Sequence, residues 1–352
     1  MSLETAPFAP ELASPEELLA WYGILVAVAG DFPGSPVPPY DAYVRQLRAP
    51  ASARSPQQRW DARDNGRLLG TAGAIFRTDE NSERVLVAVR VPVPDRRGGV
   101  GTRLLQAMLP QLRARGCRTV AGTVKAGADG EQWTSALGFR TVLRQSAHHL
   151  DVTEADPLRW QVELAPGFRL RQWTDTAPDD LVRGFALARN AMADQPIGDS
   201  SYRHPAWTVE RVRQHEAELL KSGMSRRYVV AIDERSGAVA GFTEIVIAPG
   251  QPRTCRQLDT GVLSEYRGRG LGRAMKASMM RWLTDDFPGL EQVFTMTAAE
   301  NIHMIRVNAQ LGYRTDATLA IVESELGALE ARIAETLLTD RQGRPHPRGV
   351  AG

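Results

Sequence analysis

Two glycine-rich clusters carry most of the chemical information in this chain of 352 residues. They read Arg96-Arg-Gly-Gly-Val-Gly101 and Arg267-Gly-Arg-Gly-Leu-Gly272, each after a β-rich run and before helical periodicity. A strand that feeds a glycine turn and then a helix presents unpaired backbone N–H groups at the positive end of a helix dipole, so the expected chemistry is anion binding. Glycine at Gly268, Gly270 and Gly272 lets the backbone approach a bulky pyrophosphate and reach positive φ where needed. A P-loop would close on Gly-Lys-Ser/Thr, which neither cluster has. A Rossmann loop needs Gly-x-Gly-x-x-Gly and an acid ending the next strand; here the second spacing is too short and Glu291 precedes its strand.

The clusters belong to an internal repeat. Both align as Val-x7-Gly-x-Gly, starting at Val91 and Val262, and each is followed by a Leu-Gly-aromatic-Arg landmark at Leu137 to Arg140 and Leu311 to Arg314. The distance from Gly101 to Gly138 is 37 residues and that from Gly272 to Gly312 is 40. Leu104, Leu105, Met108, Leu109 and Leu112 share one helix face, as do Met275, Met279, Trp282 and Leu283 in the second copy. Strands are expected at 118–124 and 292–297 between the landmarks, and upstream at 68–77, 85–91, 228–232, 238–247 and 257–263. Helices are expected near 15–29, 41–47, 179–193 and 209–222. The pattern implies two α/β (α+β) domains, 1–156 and 157–340, divided where Pro157 and Pro166 punctuate the chain, with 324–338 helical and a disordered tail at 341–352.

Composition agrees with two ordinary globular cores. The hydrophobic content is 43% and the charged content 24%, and the length exceeds one core. A net charge of +2 is too mild for nucleic acid. No apolar run is long enough to span a membrane and the N-terminus has no basic leader, so the expected location is the cytoplasm. Cys117 and Cys255 have no metal-ligand or redox spacing and are expected as buried thiols; no metal is expected.

With both landmarks in place, the chain resembles the Gcn5-related N-acetyltransferase (GNAT) family, whose motif Arg/Gln-x-x-Gly-x-Gly/Ala fits both clusters. The arrangement is similar to the mycothiol synthase-like tandem proteins of actinobacteria. The resemblance implies two tandem GNAT folds, each a mixed, centrally splayed sheet flanked by helices, and acetyl-CoA as co-substrate. It further implies that Thr260, Gly261 and Val262 meet the pantetheine arm, that Arg267, Gly268, Arg269, Gly270, Leu271, Gly272 and Arg273 wrap the pyrophosphate, and that Asn301 contacts the cofactor. Free amide groups between two splayed strands would satisfy the pantetheine amides. A weaker second site comprises Val91, Arg97, Gly98, Gly99, Val100, Gly101 and Thr102.

Chemistry is assigned to the second copy. Asn301 has Gly127 as its counterpart in the first copy, and Thr260 has Val89. The tyrosine that protonates the departing thiolate in many GNAT enzymes is absent: its position holds Asn308 here and Thr134 in the first copy, while Tyr313 matches a core position. A protonated amine needs a base, and Glu244 and Asp259 are the acids within strand-like runs. The expected reaction is direct acetyl transfer to a small-molecule primary amine. Backbone N–H groups near Val262 and Leu263 would polarise the carbonyl, Glu244 or Asp259 would take the proton, and Asn308 would steady the thiolate. A non-catalytic acyl-CoA sensor and a protein N-acetyltransferase are the alternatives. The first copy is expected to be degenerate, and the oligomeric state is not readable.

Overall fold

The computed structural model describes residues 3–31, 36–49, 55–251 and 253–341. The chain begins with β1 (Leu3–Pro7), α1 (Pro15–Ala27), α2 (Tyr40–Arg48), β2 (Gln57–Asp64), β3 (Arg67–Ile75), β4 (Arg84–Arg90), α3 (Val100–Ala114), β5 (Thr119–Lys125) and α4 (Asp129–Ala136). It continues with β6 (Arg140–Asp151), β7 (Phe168–Thr174), α5 (Val182–Asn190), α6 (Val209–Ser222), β8 (Ser225–Asp233), β9 (Val239–Ile247) and β10 (Thr254–Val262). The last elements are α7 (Leu271–Asp286), β11 (Gln292–Ala298), α8 (Ile302–Gln310), β12 (Arg314–Glu325) and α9 (Leu326–Arg341).

Two compact units form. The first comprises the described residues of Met1–Val28, Ala53–Val142 and Ile321–Gly352, and the second those of Ala29–Ser52 and Leu143–Ala320. Most of β6 therefore lies in the second unit, and the end of β12 with α9 lies in the first. A boundary at residue 156 marks the sequence repeat rather than the packing. The tail expected at 341–352 lies, apart from Arg341, outside the described residues.

In the first unit β1 to β4 pair antiparallel in sequence, and β4 then pairs parallel with β5. In the second, β7 to β10 pair antiparallel, β10 pairs parallel with β11, and β11 pairs antiparallel with β6. Each parallel pair needs a crossover, which α3 and α7 supply. Both parallel pairings are short: Arg84↔Thr119 to Leu86↔Ala121, and Thr254↔Gln292 to Arg256↔Phe294. Beyond them the strands splay, as the mixed, splayed fold requires.

The second unit has a helix layer on each sheet face. Leu271, Met275, Met279 and Leu283 recur every four residues along α7 and pack with Ala240, Ile245, Cys255, Val293 and Tyr313. Burial of each such side chain contributes about 1.5–3 kcal/mol. On the opposite face Phe185 of α5 and Val212 of α6 pack with Tyr228, Val230 and Phe242. The proline-punctuated segment after β6 is itself packed: Trp160 is buried, and its Nε1 donates to the Leu311 carbonyl at 3.1 Å.

Candidate active site

The second copy's site is built on β10. Thr260 pairs with Thr243 and Gln257 with Ile245, so the two residues Leu258 and Asp259 oppose the single residue Glu244, a β-bulge. Alternation then divides the side chains between the sheet faces. A Cβ on Gly272 of α7 would lie 3.8 Å from Thr260 and 3.9 Å from Val262, so these two residues face α7. Asp259 faces α5, as its approach to Arg189 shows. Thr243 and Thr260 share a hydroxyl hydrogen bond of 2.7 Å, and Gln257 donates to Thr243 and to the Glu244 carbonyl.

The Leu263 N–H donates to the Ala240 carbonyl at 3.0 Å, so it is not available to a thioester as expected from the sequence. The antiparallel alternation turns the Val262 amide the other way, toward the side from which β11 has splayed. The Val262 carbonyl accepts from Arg267 Nε at 3.0 Å, which pins the start of the glycine loop. Gly268 and Gly270 hold φ of 76° and 73°, where a side chain would be strained. Gly270 is the N-cap of α7 and brings no capping side chain, and the first turn of α7 holds no acid. Its first N–H groups are thus left for an anion. Arg273 Nε is buried with no partner among the described residues, a donor that a phosphate would satisfy. Arg269 lies beside Phe168 and Tyr266, and Arg267 also pairs with Asp194 at 2.6 Å. These features fit a pyrophosphate.

Asn301 is the N-cap of α8, its carboxamide oxygen accepting from the Met304 N–H at 3.1 Å. Asn308, expected to steady a thiolate, is buried; its Nδ2 donates one hydrogen bond to Thr297 Oγ1 at 3.2 Å, and its Oδ1 has no partner among the described residues. Tyr313 is a core residue, its hydroxyl 4.0 Å from Met280 Sδ. Both cysteines are buried free thiols.

The structure brings the two candidate carboxylates together but gives them different chemistry. Glu244, 1% exposed, lies between Arg189 and Arg226, each 2.9 Å from its Oε2. Burial opposes its ionisation, but the two guanidinium groups prevail and hold it down at about 2. Asp259 keeps its side chain 43% exposed and meets Arg189 only at 3.9 Å. Loss of hydration from partial burial, with the Glu244 charge second, outweighs Arg189 and Arg226 and lifts it to about 6. Arg189, which sequence periodicity did not single out, also stacks over Trp207 at 3.8 Å, with Asn190 holding the Trp207 backbone at both N–H and carbonyl. Apolar neighbours at Phe185, Ala188 and Met192 hid it in an amphipathic helix.

The first copy keeps the frame and lacks these groups. Its Gly99 has φ of 78°, and Arg97 takes the place of Gly268 at φ 64°, costing about 1–2 kcal/mol. Arg96 Nε donates to the Val91 carbonyl at 3.0 Å, as Arg267 does to Val262. Yet β3 and β4 pair without a bulge, and Gly73↔Ala88 stand where Glu244 and Asp259 face each other. Trp133 of α4 packs where a Gly101 side chain would go, 3.1 Å from its Cβ position, and donates to Thr102. Arg96 and Arg97 meet Asp129, at 3.4 and 3.9 Å, at the start of α4.

The model of the Acetyltransferase (GNAT) family matches residues 21–139 and 192–313, more than half the chain. The chain belongs to the GNAT family. It is an acetyltransferase with two GNAT copies, and similarity to curated GNAT proteins extends along most of its length. It is 28% identical over 301 residues to a mycothiol acetyltransferase of Salinispora arenicola, covering 82% of this chain and 87% of the relative. A mycothiol acetyltransferase of Salinispora tropica is 28% identical over 318 residues, covering 87% and 90%. Among solved GNAT structures, a tandem GNAT protein from the clavulanic acid biosynthesis pathway superposes with a TM-score of 0.74 at 23% identity, covering 93% of this chain and 99% of that one. A GCN5-related N-acetyltransferase from Sphaerobacter thermophilus gives 0.70 at 16% identity, covering 92% and 96%. Among the described residues no helix is long and apolar enough to cross a membrane.

Proposed function

We propose that the second GNAT copy transfers an acetyl group from acetyl-CoA to the primary amine of a small molecule, by direct attack in a ternary complex with Asp259 as base. The observation that carries this reading is the β10 bulge, which sets a half-exposed carboxyl of raised pKa beside Arg189 at the open edge of the splay. The loop Arg267 to Arg273 would hold the pyrophosphate, and Thr260 to Val262 the pantetheine. The Val262 N–H would polarise the thioester carbonyl. The amine approaches from the α5 face, where Arg189, Trp207 and Asp259 lie. Glu244, ionised between two guanidinium groups, is a positioning residue that fixes Arg189. The small-amine acceptor is also supported by the relatives named for mycothiol acetylation.

Because Asp259 accepts a proton only when ionised, kcat/KM rises as pH passes about 6. The test is a screen of the purified protein with acetyl-CoA against an amine library, read by thiol release and by the mass of the amide. With the amine so found, Asp259→Asn is expected to lower turnover by about 10²–10⁴-fold and to remove the acidic limb near pH 6. Full turnover in Asp259→Asn would remove the base assignment. CoA binding with no thiol release against any amine would favour a sensor.

A further inference from the structure

Among the described residues of the second unit, α7 buries a cation for which the packing gives no counter-charge. Lys276 of α7 is 2% exposed, and no carboxylate pairs with it among the described residues. A buried unpaired ammonium is strongly unfavourable, whereas the same position in the first copy holds Leu105, also fully buried. The fold therefore accepts an apolar side chain here.

Its surroundings say what the lysine faces. Lys276 lies one turn beyond Gly272, on the side of α7 that meets Thr260 and Val262, and helical side chains lean back toward the N-terminus. Its ammonium stands 5.0 Å from the Tyr313 ring at the end of α8. The side chain therefore leaves α7 on the face that meets β10 and carries its ammonium to Tyr313, just after α8. Asp259 is on the α5 face of β10 and Lys276 on the α7 face. An acyl group lying in the gap in which β10 and β11 part, with its CoA arm running back to the glycine loop of α7, would meet the amine on one face and release sulfur on the other.

We infer that Lys276 gives the departing CoA thiolate its proton, in the role the absent tyrosine leaves open. This rests on the acetyl-CoA reading above. Asp259 takes one proton from the acceptor ammonium, and the amine lone pair attacks the thioester carbon. The C–S bond breaks with its electron pair on sulfur, and Lys276 Nζ passes a proton to that sulfur. The nitrogen sheds its second proton to solvent, Asp259 releases the proton it took to solvent, and a solvent proton restores Lys276. The sum is an ammonium ion and acetyl-CoA giving an amide, CoA thiol and one proton.

Burial alone pushes Lys276 down to about 7, below the ~8.5 of a simple thiol, so the transfer to a thiolate is downhill. The titratable groups around it do not compete near neutral pH. His148 of β6 is held neutral by burial and by Lys276 itself, burial pushes Cys255 up to about 12, and Tyr313 is raised by burial. Activity should therefore fall as pH rises past about 7, since Lys276 must carry its proton.

The experiment titrates the thiol of bound CoA by its thiolate ultraviolet absorbance, in wild type, Lys276→Met and Lys276→Leu. In wild type Lys276 gives up its proton first and its amine N–H still hydrogen-bonds the thiolate, so the bound thiol is expected to ionise at lower pH than in either variant, where an apolar side chain leaves the thiolate without a donor. CoA still binds the variants, turnover falls by about 10²-fold or more, and the alkaline limb of the pH profile moves. Removing the unpaired charge should also raise Tm, which loss of a merely structural lysine would not. An unchanged thiol titration and pH profile in variants that bind CoA would overturn the inference and leave the acetyl-CoA reading intact. So would an acetyl adduct on Lys276 that transfers to the amine. Failure of CoA to bind wild type would overturn both.

Discussion

A carboxylate clamped by two guanidinium groups and one that touches a single guanidinium at a distance are different reagents, although both stand in apolar strands. Glu244 and Asp259 were both legible as acids, but Arg189 comes from a helix 55 residues before Glu244, and only folding shows which acid it neutralises. Glu244→Gln leaves Arg189 and Arg226 buried with a neutral partner. The expected cost is about 3–5 kcal/mol, read as a drop in the urea midpoint. Its folded-state pKa of about 2 lies below the ordinary 4.5, so the stabilisation is complete above about 4.5 and is lost as pH falls through about 2. Over that window the stability of wild type falls toward that of Glu244→Gln. Parallel pH curves for the two proteins would show that the ion pairs contribute nothing. Lys276 was invisible in the sequence because its neighbours Met275, Met279 and Leu283 fit one apolar face, and a lysine beside such a face ordinarily points to water.

At the scale of elements, the glycine loop is a device used twice with different sequences. The second copy reaches left-handed backbone with Gly268, whereas the first does so with Arg97. Arg97→Gly relieves strain but adds chain entropy to the unfolded state. The expected net gain is roughly 0.5–1 kcal/mol in the urea midpoint, with turnover unchanged. Destabilisation would mean that the Arg97–Asp129 contact outweighs the strain. The helices α3, α6 and α7 and the strands β3, β4, β9, β10 and β11 were legible from periodicity and from the landmarks. β2 was not, because Gln57-Gln-Arg-Trp-Asp-Ala-Arg-Asp64 is largely polar and its burial comes from cross-strand neighbours. β1 and β7 were missed for the same reason, being short and rich in polar residues. The bulge at Leu258 and Asp259 was hidden as well, since one extra residue in a strand has no signature until its partner is known.

For the whole molecule, the repeat in the sequence and the compact units do not coincide, because β6 and the end of β12 with α9 each serve the unit opposite to their place in the chain order. Linear reading locates the glycine loops and the landmarks but not this exchange, which depends on pairings between residues far apart in sequence. The same comparison of copies separates function from frame. Both units keep the splay, the loop and the arginine that pins it, but among the described residues the first has no bulge, carboxylates or lysine at the positions of Asp259, Glu244 and Lys276. The first fills the corresponding helix start with Trp133 and draws Arg96 and Arg97 onto Asp129. The most direct measurement is a calorimetric titration of acetyl-CoA into wild type, Gly99→Glu and Gly270→Glu. The account predicts one equivalent bound by wild type and by Gly99→Glu, and binding abolished in Gly270→Glu. Loss in Gly99→Glu with retention in Gly270→Glu, or two equivalents in wild type, would contradict it.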